Sequence, residues 1–459
     1  MSVNEALAGV WHLGQLPRAA LERALLSGAD PVLPSSFAVG AAAQISIAAA
    51  ALAACEVGHA RGQTRQDVRV DMLHAALECA GWLSVDGRVP EMWDAFSGLY
   101  RCADGWVRVH ANFAHHRDGA LRLLGLAPET AQRADAERVL QTWRALDFEQ
   151  AAADRGLVVA ALRSFDEWDR HPQAHAVAAQ ALMSFERIGE APPKALPRLD
   201  ANQRPLSGLR VIDLTRILAG PVGGRALAAY GADVMLLNAP HLPNIAAIAS
   251  TSRGKLSAYA DLRSEQGRSD LDALLAGTDV FVQGYRPGGL DALGYGPAAL
   301  AQRKPGIVYV SLSAYGNEGP WRARRGFDSL LQTATGFNHA EAEAAGTPEP
   351  KPLPMQILDY ASGHLMAFGA SAALLRQMHE GGSWHVRVSL AQTGQWIRSL
   401  GRVPGGSAAA WPDRRPYLET TRSGFGELLA VRHSAQLSLT PARWTRPSMP
   451  PGTHPPAWP

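Results

Sequence analysis

The stretch Ile357-Leu-Asp-Tyr-Ala-Ser-Gly363 places one acidic residue, Asp359, ahead of a long and nearly uncharged helical run, His364 to Gln377. A related stretch, Ser36-Phe-Ala-Val-Gly40, precedes a run of the same kind much earlier. Both runs are followed by similar strand segments, which are Val68-Arg-Val-Asp-Met72 and Val386-Arg-Val-Ser-Leu390. The chain therefore contains one unit twice, with the carboxylate in the second copy only. An unrepeated acid on a repeated scaffold suggests a nucleophile or a base.

Asp359 has two interpretations at this level. Aspartate is a preferred N-cap residue, and the helical run starts just after it, so its role can be purely structural. Alternatively, the helix N-terminus stabilises an ionised carboxylate, which is a poor general acid but a usable anionic nucleophile. The residues alone leave both interpretations open.

The composition excludes several classes of protein. A chain of 459 residues is too long for one ordinary core, so we expect two or three domains. Charged residues make up 19%, the formal net charge is +2, and no basic stripe is interleaved with aromatic residues, so we expect no nucleic-acid partner.

Three cysteines, Cys55, Cys79 and Cys102, show neither metal-ligand spacing nor an even disulfide framework. This pattern predicts reduced thiols, a cytoplasmic protein and no metal site.

Two segments could be mistaken for targeting or membrane elements. The N-terminus has no basic region followed by an apolar core, so we do not expect a signal peptide. Residues Phe37 to Cys55 carry no charge and approach the length of a membrane span. They are mostly alanine, however, and include Gln44 and Ser46, which favours a helix buried in a protein core.

Turn and linker signals divide the chain into five predicted segments. These are an N-terminal helical segment (1–30), a partial repeat unit with a small domain (31–190), a proline-rich linker (191–205), a ligand-binding domain (206–400) and an extended Pro/Arg-rich arm (401–459). Within the second segment, Leu99 to His110 reads as a β-hairpin that turns at Asp104-Gly105. Residues 111–185 read as helical.

Strands and helices alternate from Leu206 onward. The predicted strands are Leu209–Thr215, Asp233–Leu237, Val280–Val282 and Ile307–Leu312. This alternation predicts an α/β fold with a doubly wound, mostly parallel, Rossmann-like sheet, accompanied by a smaller α+β domain. Ligands of such sheets lie at the carboxyl ends of the strands, which here carry residues 215–221, 284–288 and 313–316.

No familiar nucleotide motif occupies those strand ends. Ala219-Gly220-Pro221 does not fit the dinucleotide fingerprint, and the chain has neither a Walker lysine motif nor a serine nucleophile elbow. Cationic residues do lie around the sheet, several of them at predicted strand ends or loops, and there they suit a phosphorylated ligand. They are Arg216, Arg253, Lys255, Arg286 and the run Arg322 to Arg325.

A series of motifs resembles the family III CoA-transferases (the CaiB/BaiF family), which include formyl-CoA transferase, carnitine CoA-transferase and α-methylacyl-CoA racemase. Asp359 falls where that family's catalytic aspartate precedes an alanine-rich helix. The matching motifs, all within about 206–392, are Pro205–Pro221, Tyr230–Val234, Arg253–Lys255, Gly284–Gly288, Val308–Gly316, Gly319-Pro320 and Gly326–Asp328.

The first half is also similar to this family, but to a later part of its chain. Residues 36–72 resemble the helix and strand that follow the catalytic aspartate, and Tyr100 to His110 resembles the small-domain hairpin. The small domain thus precedes the sheet, and a rearranged, partly duplicated architecture is implied. Ser36 stands where the aspartate is expected, so we expect the first copy to be catalytically silent. We also expect one active site to be built from both halves, within a chain or across a homodimer.

The resemblance implies a CoA-transferase that works through an aspartyl-CoA thioester on Asp359. Acyl-CoA and a carboxylic acid are the implied substrates, no cofactor is held permanently, and a homodimer is expected. The positions that match the family's CoA contacts are Ile217, Leu218, Ala219, Arg253, Lys255, Gly284, Tyr285, Arg325 and Phe327. One departure is the short segment Pro240–Asn244, which lacks the family's usual Gly-Asp pair and leaves part of that contact set in doubt.

Two other functions are weighed against the transferase. A 2-methylacyl-CoA racemase needs two bases beside the α-carbon. The family's racemases carry histidine where this chain has Phe327, so the transferase is favoured. A non-catalytic CoA-binding protein is the third possibility, and it gains weight if the first half fails to supply a small domain.

Overall fold

The computed structural model describes residues 1–459. Its α-helices, numbered in chain order, are α1 (Val3–Leu13), α2 (Val39–Ala60), α3 (Met72–Ala80), α4 (Ala114–Leu123), α5 (Arg133–Leu140), α6 (Ala145–Asp154), α7 (Phe165–Asp169), α8 (Pro172–Ala178), α9 (Ala219–Ala229), α10 (Ile248–Thr251), α11 (Glu265–Ala276), α12 (Pro297–Arg303), α13 (Asp328–Ala334), α14 (Phe337–Ala345), α15 (Ile357–Glu380) and α16 (Leu390–Ser399). Short 3₁₀ turns lie at Arg18–Arg23, Asp291–Leu293, Gly406–Ala408 and Arg415–Tyr417.

The strands form one large sheet and three small ones. They are β1 (Ala24–Ser27), β2 (Val68–Asp71), β3 (Leu83–Val85), β4 (Gly98–Arg101), β5 (Trp106–Val109), β6 (Val159–Ala161), β7 (Met183–Gly189), β8 (Arg210–Leu214), β9 (Asp233–Asn238), β10 (Lys255–Tyr259), β11 (Val280–Gln283), β12 (Val308–Ser313), β13 (Ser383–Ser389), β14 (Leu418–Ser423), β15 (Gly426–Val431) and β16 (Gln436–Leu437).

The large sheet has the order β10-β9-β8-β11-β12-β13-β7. All neighbouring strands are parallel except β7, which pairs antiparallel with β13 at the edge. The strands read as apolar runs because both faces of the sheet are covered. One face packs into a core of 78 buried residues that includes α9 and α15, and the other packs on α11 and α12. The fold is therefore mixed α/β with a large, mostly parallel sheet.

Strand β7 is a departure from the sequence prediction. Residues 111–185 were expected to be helical, but this region also contains the short strand β6 and the start of β7. The register of β7 aligns Phe185 with Val386 and Met183 with Val388. The first half of the chain therefore completes the large sheet, so the two halves are not independent domains.

The two long apolar helices, α2 and α15, pack against each other in the centre of the molecule. Helix α2 is the one helix long and apolar enough to cross a membrane, and that whole apolar stretch is buried. The sequence-based interpretation of Phe37 to Cys55 as a buried core helix agrees with this packing. Each of the two helices leads to a strand and then to a second helix, α3 or α16, as the repeat predicts.

The structure corrects the alignment of the two copies. Each long helix starts 29 residues before the matched valine of its strand, so Val39 corresponds to Ile357 and Ala41 to Asp359. In both helices, a carboxylate accepts hydrogen bonds from the backbone N–H groups of the second and third residues. Asp30 binds Gly40 and Ala41 of α2 in this way. Asp328 binds Leu358 and Asp359 of α15. Ser36 is thus not the counterpart of Asp359. The first copy still lacks the carboxylate, because alanine takes its place.

The small domain is built on the sheet β4-β5-β6. Strands β4 and β5 form the predicted hairpin, with Arg101 paired to Trp106 across the turn. Val107 and Val109 point into a separate core formed with α4, α5 and α6. The opposite face of this sheet packs on α13 of the large domain through Val158, Ala160 and Leu330.

The C-terminal arm is docked along the molecule. Strands β14 and β15 extend β3 into a three-stranded sheet, and β16 pairs with β2. Trp444 lies on the guanidinium of Arg253 at 3.9 Å, and its indole N–H donates to the backbone of Arg225. His433 and Ser434 bind the buried carboxylate of Glu78. The arm is therefore part of the folded core rather than a loose tail.

Candidate active site

A cavity of about 390 Å³ lies at the carboxyl ends of β8, β11 and β12. The strand order reverses between β8 and β11, and a sheet of this kind opens a crevice for ligands at such a point. Seven of the nine positions predicted to contact CoA line the cavity, together with Asp359. The seven are Ile217, Leu218, Ala219, Gly284, Tyr285, Arg325 and Phe327.

Asp359 is the third residue of α15, and the residue at the N-cap position is Gln356. Asp359 is therefore not the N-cap residue of α15. Its side chain is only 8% exposed and accepts no hydrogen bond from another residue. A buried carboxylate without donors is costly to ionise. Asp359 also lines the cavity, where a ligand can reach its carboxyl group.

The carboxyl groups of Asp359 and Asp328 are electrostatically coupled. Asp328 is fully buried and accepts the backbone N–H of Asp359 at 2.9 Å and the amide of Gln332 at 2.5 Å. Burial raises the pKa of Asp328 to about 7, and these hydrogen bonds only partly oppose the rise. Burial, followed by the Asp328 charge, raises the pKa of Asp359 well above its usual range. This rise in the pKa of Asp359 is opposite to the sequence-based expectation that the helix N-terminus stabilises its ionised form.

Exchanging Asp328 for asparagine should move the acidic limb of the pH–rate profile to lower pH. The amide can still accept the Asp359 N–H, but it removes the negative charge that raises the pKa of Asp359. Because the two carboxyl groups titrate together, we expect a shift of about one pH unit or more in kcat/KM. The matched control is Asp30→Asn, since Asp30 binds two helix N–H groups in the same way without a reactive neighbour. An unchanged limb in Asp328→Asn, or an equal shift in the control, would contradict the coupling.

The loop after β8 forms one wall of the cavity. Ile217 has a positive φ of 75°, which is strained for a β-branched side chain and is typical of functional sites. Helix α9 begins at Ala219, so its free N–H groups lie beside the cavity, where they favour an anion. A Cβ on Gly363 would lie 2.3 Å from the Ala219 carbonyl oxygen, so α9 and α15 are held in close contact next to Asp359.

Four guanidinium groups give the cavity its positive charge: Arg216, Arg286, Arg324 and Arg325. Arg324 is held near Glu149, 3.8 Å away, and against the Trp321 ring. Arg325 donates to His116 Nε2 at 2.9 Å, and Arg286 makes no ion pair with the protein. This positive charge suits a phosphorylated ligand.

The small domain closes another side of the cavity through Phe113, His115 and His116. His116 is buried beside Arg325, and burial together with neighbouring cations lowers the pKa of its imidazole to about 3. The ring is therefore neutral, and its Nε2 accepts from Arg325. Because these residues belong to the first half, both halves of the chain line the candidate site.

Arg253 and Lys255 lie away from the cavity, which corrects their predicted place in the CoA contact set. Lys255 is fully buried and donates to Asp213 at 2.8 Å and to the Pro221 carbonyl at 2.7 Å. Arg253 is 3% exposed and binds Glu419 of the C-terminal arm at 3.0 Å. A cation next to a strand can thus form an ion pair inside the protein instead of binding a ligand. The sequence pattern does not distinguish these two roles.

Sequence reasoning missed several residues of this site. Asp328 was noted only as part of the Gly326-Phe-Asp328 motif, although it contacts the backbone of Asp359. The adjacent pair His115-His116 follows the hairpin closely and was a usable signal that was overlooked. No group of three His, Cys, Asp or Glu side chains is arranged to hold a metal ion.

Part of the chain is similar to a known family of proteins. Residues 206–400 match the family model described as CoA-transferase family III. An acyl-CoA transferase of Gibberella moniliformis is 28% identical over 421 residues, which cover 80% of this chain and 73% of that protein. A probable fatty acyl-CoA transferase of Mycobacterium tuberculosis, Rv3272, is 36% identical over 203 residues, which cover 41% of this chain and 50% of that protein. A crystal structure of Rv3272 aligns over 43% of this chain and 57% of its own, at 36% identity and a TM-score of 0.37. The chain thus spans half the length of this bacterial relative.

Proposed function

We propose that the protein is a CoA-transferase that moves CoA from an acyl-CoA thioester to a carboxylic acid, with Asp359 as the nucleophile, and the match of residues 206–400 to CoA-transferase family III supports this proposal. The observation that carries the proposal is the position of Asp359. Its carboxylate is buried, lacks hydrogen-bond donors and lines a cavity at the reversal point of the sheet. A carboxylate without hydrogen-bond donors is a strong nucleophile when it is ionised.

The proposed reaction has two symmetric halves. The Asp359 carboxylate attacks the thioester carbonyl, the C–S bond breaks, and CoA thiolate leaves as an acyl-aspartyl anhydride forms. The thiolate then attacks the aspartyl carbonyl, and the donor acid leaves as its carboxylate. The result is an aspartyl-CoA thioester, which an acceptor carboxylate consumes by the same steps in reverse. No proton is gained or lost, and covalent catalysis divides one difficult exchange into easier displacements.

The charge distribution of the cavity supports this assignment. The guanidinium groups of Arg286 and Arg325 and the N-terminus of α9 suit the phosphates of CoA. Tyr285 and Leu242 offer an apolar surface to the adenine or the pantetheine chain. The raised pKa values of Asp328 and Asp359 favour a proton shared by the two carboxyl groups. One carboxyl of the pair can then hold the proton while the other reacts.

Covalent trapping tests the proposal directly. The full chain is incubated with a panel of acyl-CoA thioesters, and its intact mass is measured with and without hydroxylamine. We expect a CoA adduct that maps to Asp359 and that hydroxylamine converts to an aspartyl hydroxamate. The same panel in D₂O separates the other functions. Exchange of the α-proton without CoA transfer would indicate the racemase, and CoA binding without an adduct would indicate a non-catalytic binding protein.

Several further properties belong to the same proposal. The strand order is that of the two βαβαβ halves of a doubly wound, Rossmann-like sheet, with helices on both faces. Acyl-CoA and a carboxylic acid are the proposed substrates, with no permanently bound cofactor and neither a nucleic acid nor a membrane as partner. We further propose a cytoplasmic homodimer, which sedimentation of the purified chain would test.

A further inference from the structure

The loop between β12 and α13, residues 314–327, belongs to the second half of the chain but is held by the first half. The side-chain amide of Gln173 donates to the carbonyl oxygens of Tyr315 and Glu318, both at 2.8 Å, and its oxygen accepts the Trp321 N–H at 2.6 Å. Gln173 is fully buried, so water does not compete for these three bonds. The first half therefore fixes the course of a loop whose last residues line the active-site cavity.

Arg325 lies near the end of this loop and lines the cavity. Its guanidinium forms no ion pair with an aspartate or a glutamate, and its only hydrogen bond to the protein is the one to His116 Nε2, at 2.9 Å. Burial, followed by repulsion from Arg286, lowers the pKa of Arg325. Two cations that repel each other beside a cavity suit an anionic ligand, and the remaining N–H donors of Arg325 are free to bind it.

His116 makes no polar contact with the protein other than the one to Arg325. An arginine can only donate, so Nε2 is the acceptor and the proton of the neutral ring lies on Nδ1. Nδ1 is buried and has no hydrogen-bond partner. Buried polar groups that serve the fold are normally satisfied, and a donor left without an acceptor costs stability. The hydrogen bonding of His116 is therefore directed to Arg325 alone.

The ring of His116 is held in place by aromatic neighbours from both halves. Its centroid lies 5.7 Å from that of Phe113, 4.0 Å from that of His115 and 6.4 Å from that of Phe327. A fixed acceptor limits the rotamers open to the long side chain of Arg325. Less conformational entropy is then lost when the guanidinium binds a ligand, so the contact prepares Arg325 for binding.

We propose that His116 is a positioning residue for CoA binding, because it holds the Arg325 guanidinium at the cavity, where the remaining N–H donors bind a phosphate of CoA. This inference rests on the proposed transferase function and gives a residue of the first half a part in CoA recognition. His116 takes no part in the bond changes at Asp359. Its loss should therefore weaken the binding of CoA and leave the chemical steps unchanged.

Two variants of His116 separate the acceptor from the packing of the ring. His116→Phe keeps the aromatic contacts and removes the acceptor, whereas His116→Gln keeps an acceptor near the position of Nε2. Titration calorimetry of the full chain with CoA should show a Kd that is about 10-fold higher or more in His116→Phe and within about threefold of wild type in His116→Gln. With the acyl-CoA donor that forms the adduct, KM should rise by a similar factor in His116→Phe, and kcat should stay within about threefold.

A double-mutant cycle with Arg325→Met tests whether His116 acts through Arg325. We expect His116→Phe to cause no further loss of CoA affinity once Arg325 is replaced, because two residues that act through one contact are not additive. His74→Asn is the control for loss of a buried histidine. His74 is 2% exposed and lies outside the cavity, so its replacement should lower the Tm without changing the Kd for CoA.

Three results overturn the proposal. They are an unchanged Kd for CoA in His116→Phe, an equal loss of affinity in His116→Gln, and additive losses in the cycle with Arg325→Met. A fall in kcat at unchanged KM overturns it as well, since His116 would then act on the chemical steps. CoA binding by wild type without an adduct on Asp359 would instead refute the transferase function and leave the role of His116 in CoA binding intact. Absence of CoA binding by wild type would refute both.

Discussion

Asp359→Asn is expected to abolish CoA transfer and to make the protein more stable, by an amount that grows with pH. The amide cannot form an anhydride or a thioester, so kcat should fall at least about 1000-fold. The stability gain follows from the raised pKa of Asp359. A carboxyl group whose pKa is raised by folding contributes most to stability at low pH, and that contribution is lost as pH rises through the folded-state pKa. Each pKa unit is worth about 1.4 kcal/mol, so the difference in unfolding free energy should be clear at pH 8 and smaller at pH 5.

Chemical denaturation at several pH values, together with a transfer assay, checks both parts of this expectation. Ser36→Ala is the control, because Ser36 is buried in the first copy of the repeat but does not line the cavity. It should keep its transfer rate within about twofold. Transfer by Asp359→Asn within tenfold of wild type would remove Asp359 from the mechanism. Destabilisation at pH 8 would show that the carboxylate serves the fold.

The fragment 200–459, expressed alone, is expected to be insoluble and inactive. It would lack α2, whose buried face packs along α15, and β7, which pairs with β13 at the edge of the large sheet. It would also lack Phe113, His115 and His116, which close the cavity. A domain has a net stability of only about 5–15 kcal/mol, which the loss of a central helix exceeds. An unpaired β13 edge beside exposed apolar surface also favours aggregation.

Solubility, circular dichroism and CoA transfer of the fragment check this expectation, and co-expression with 1–199 is the control. Recovery of soluble, active protein on co-expression would show that the two halves assemble one site. A soluble fragment that transfers CoA at the full rate would mean that the first half is dispensable, against the packing of α2 on α15.

The sequence predicted the local elements of the large domain well and its long-range contacts less well. Apolar runs such as Val308–Leu312 predicted parallel strands because both faces of such a strand are buried. The sequence did not predict β7, because polar and apolar residues do not alternate regularly in Met183–Gly189. This segment becomes a strand only through pairing with β13. Long-range contacts also explain why Arg253 and Lys255 do not line the cavity. Their binding partners, Glu419 and Asp213, are distant in sequence and could not be predicted from the local pattern.

By itself, the sequence determined the alternation of strands and helices, the repeated unit and the single carboxylate at Asp359, because these depend on side-chain type and spacing along the chain. Only the tertiary structure decided that Ala41 rather than Ser36 matches Asp359, since helix register is set by where the helix begins. Tertiary structure also decided that the pKa of Asp359 is raised, because this shift depends on burial and on the Asp328 charge rather than on the position of Asp359 near a helix start.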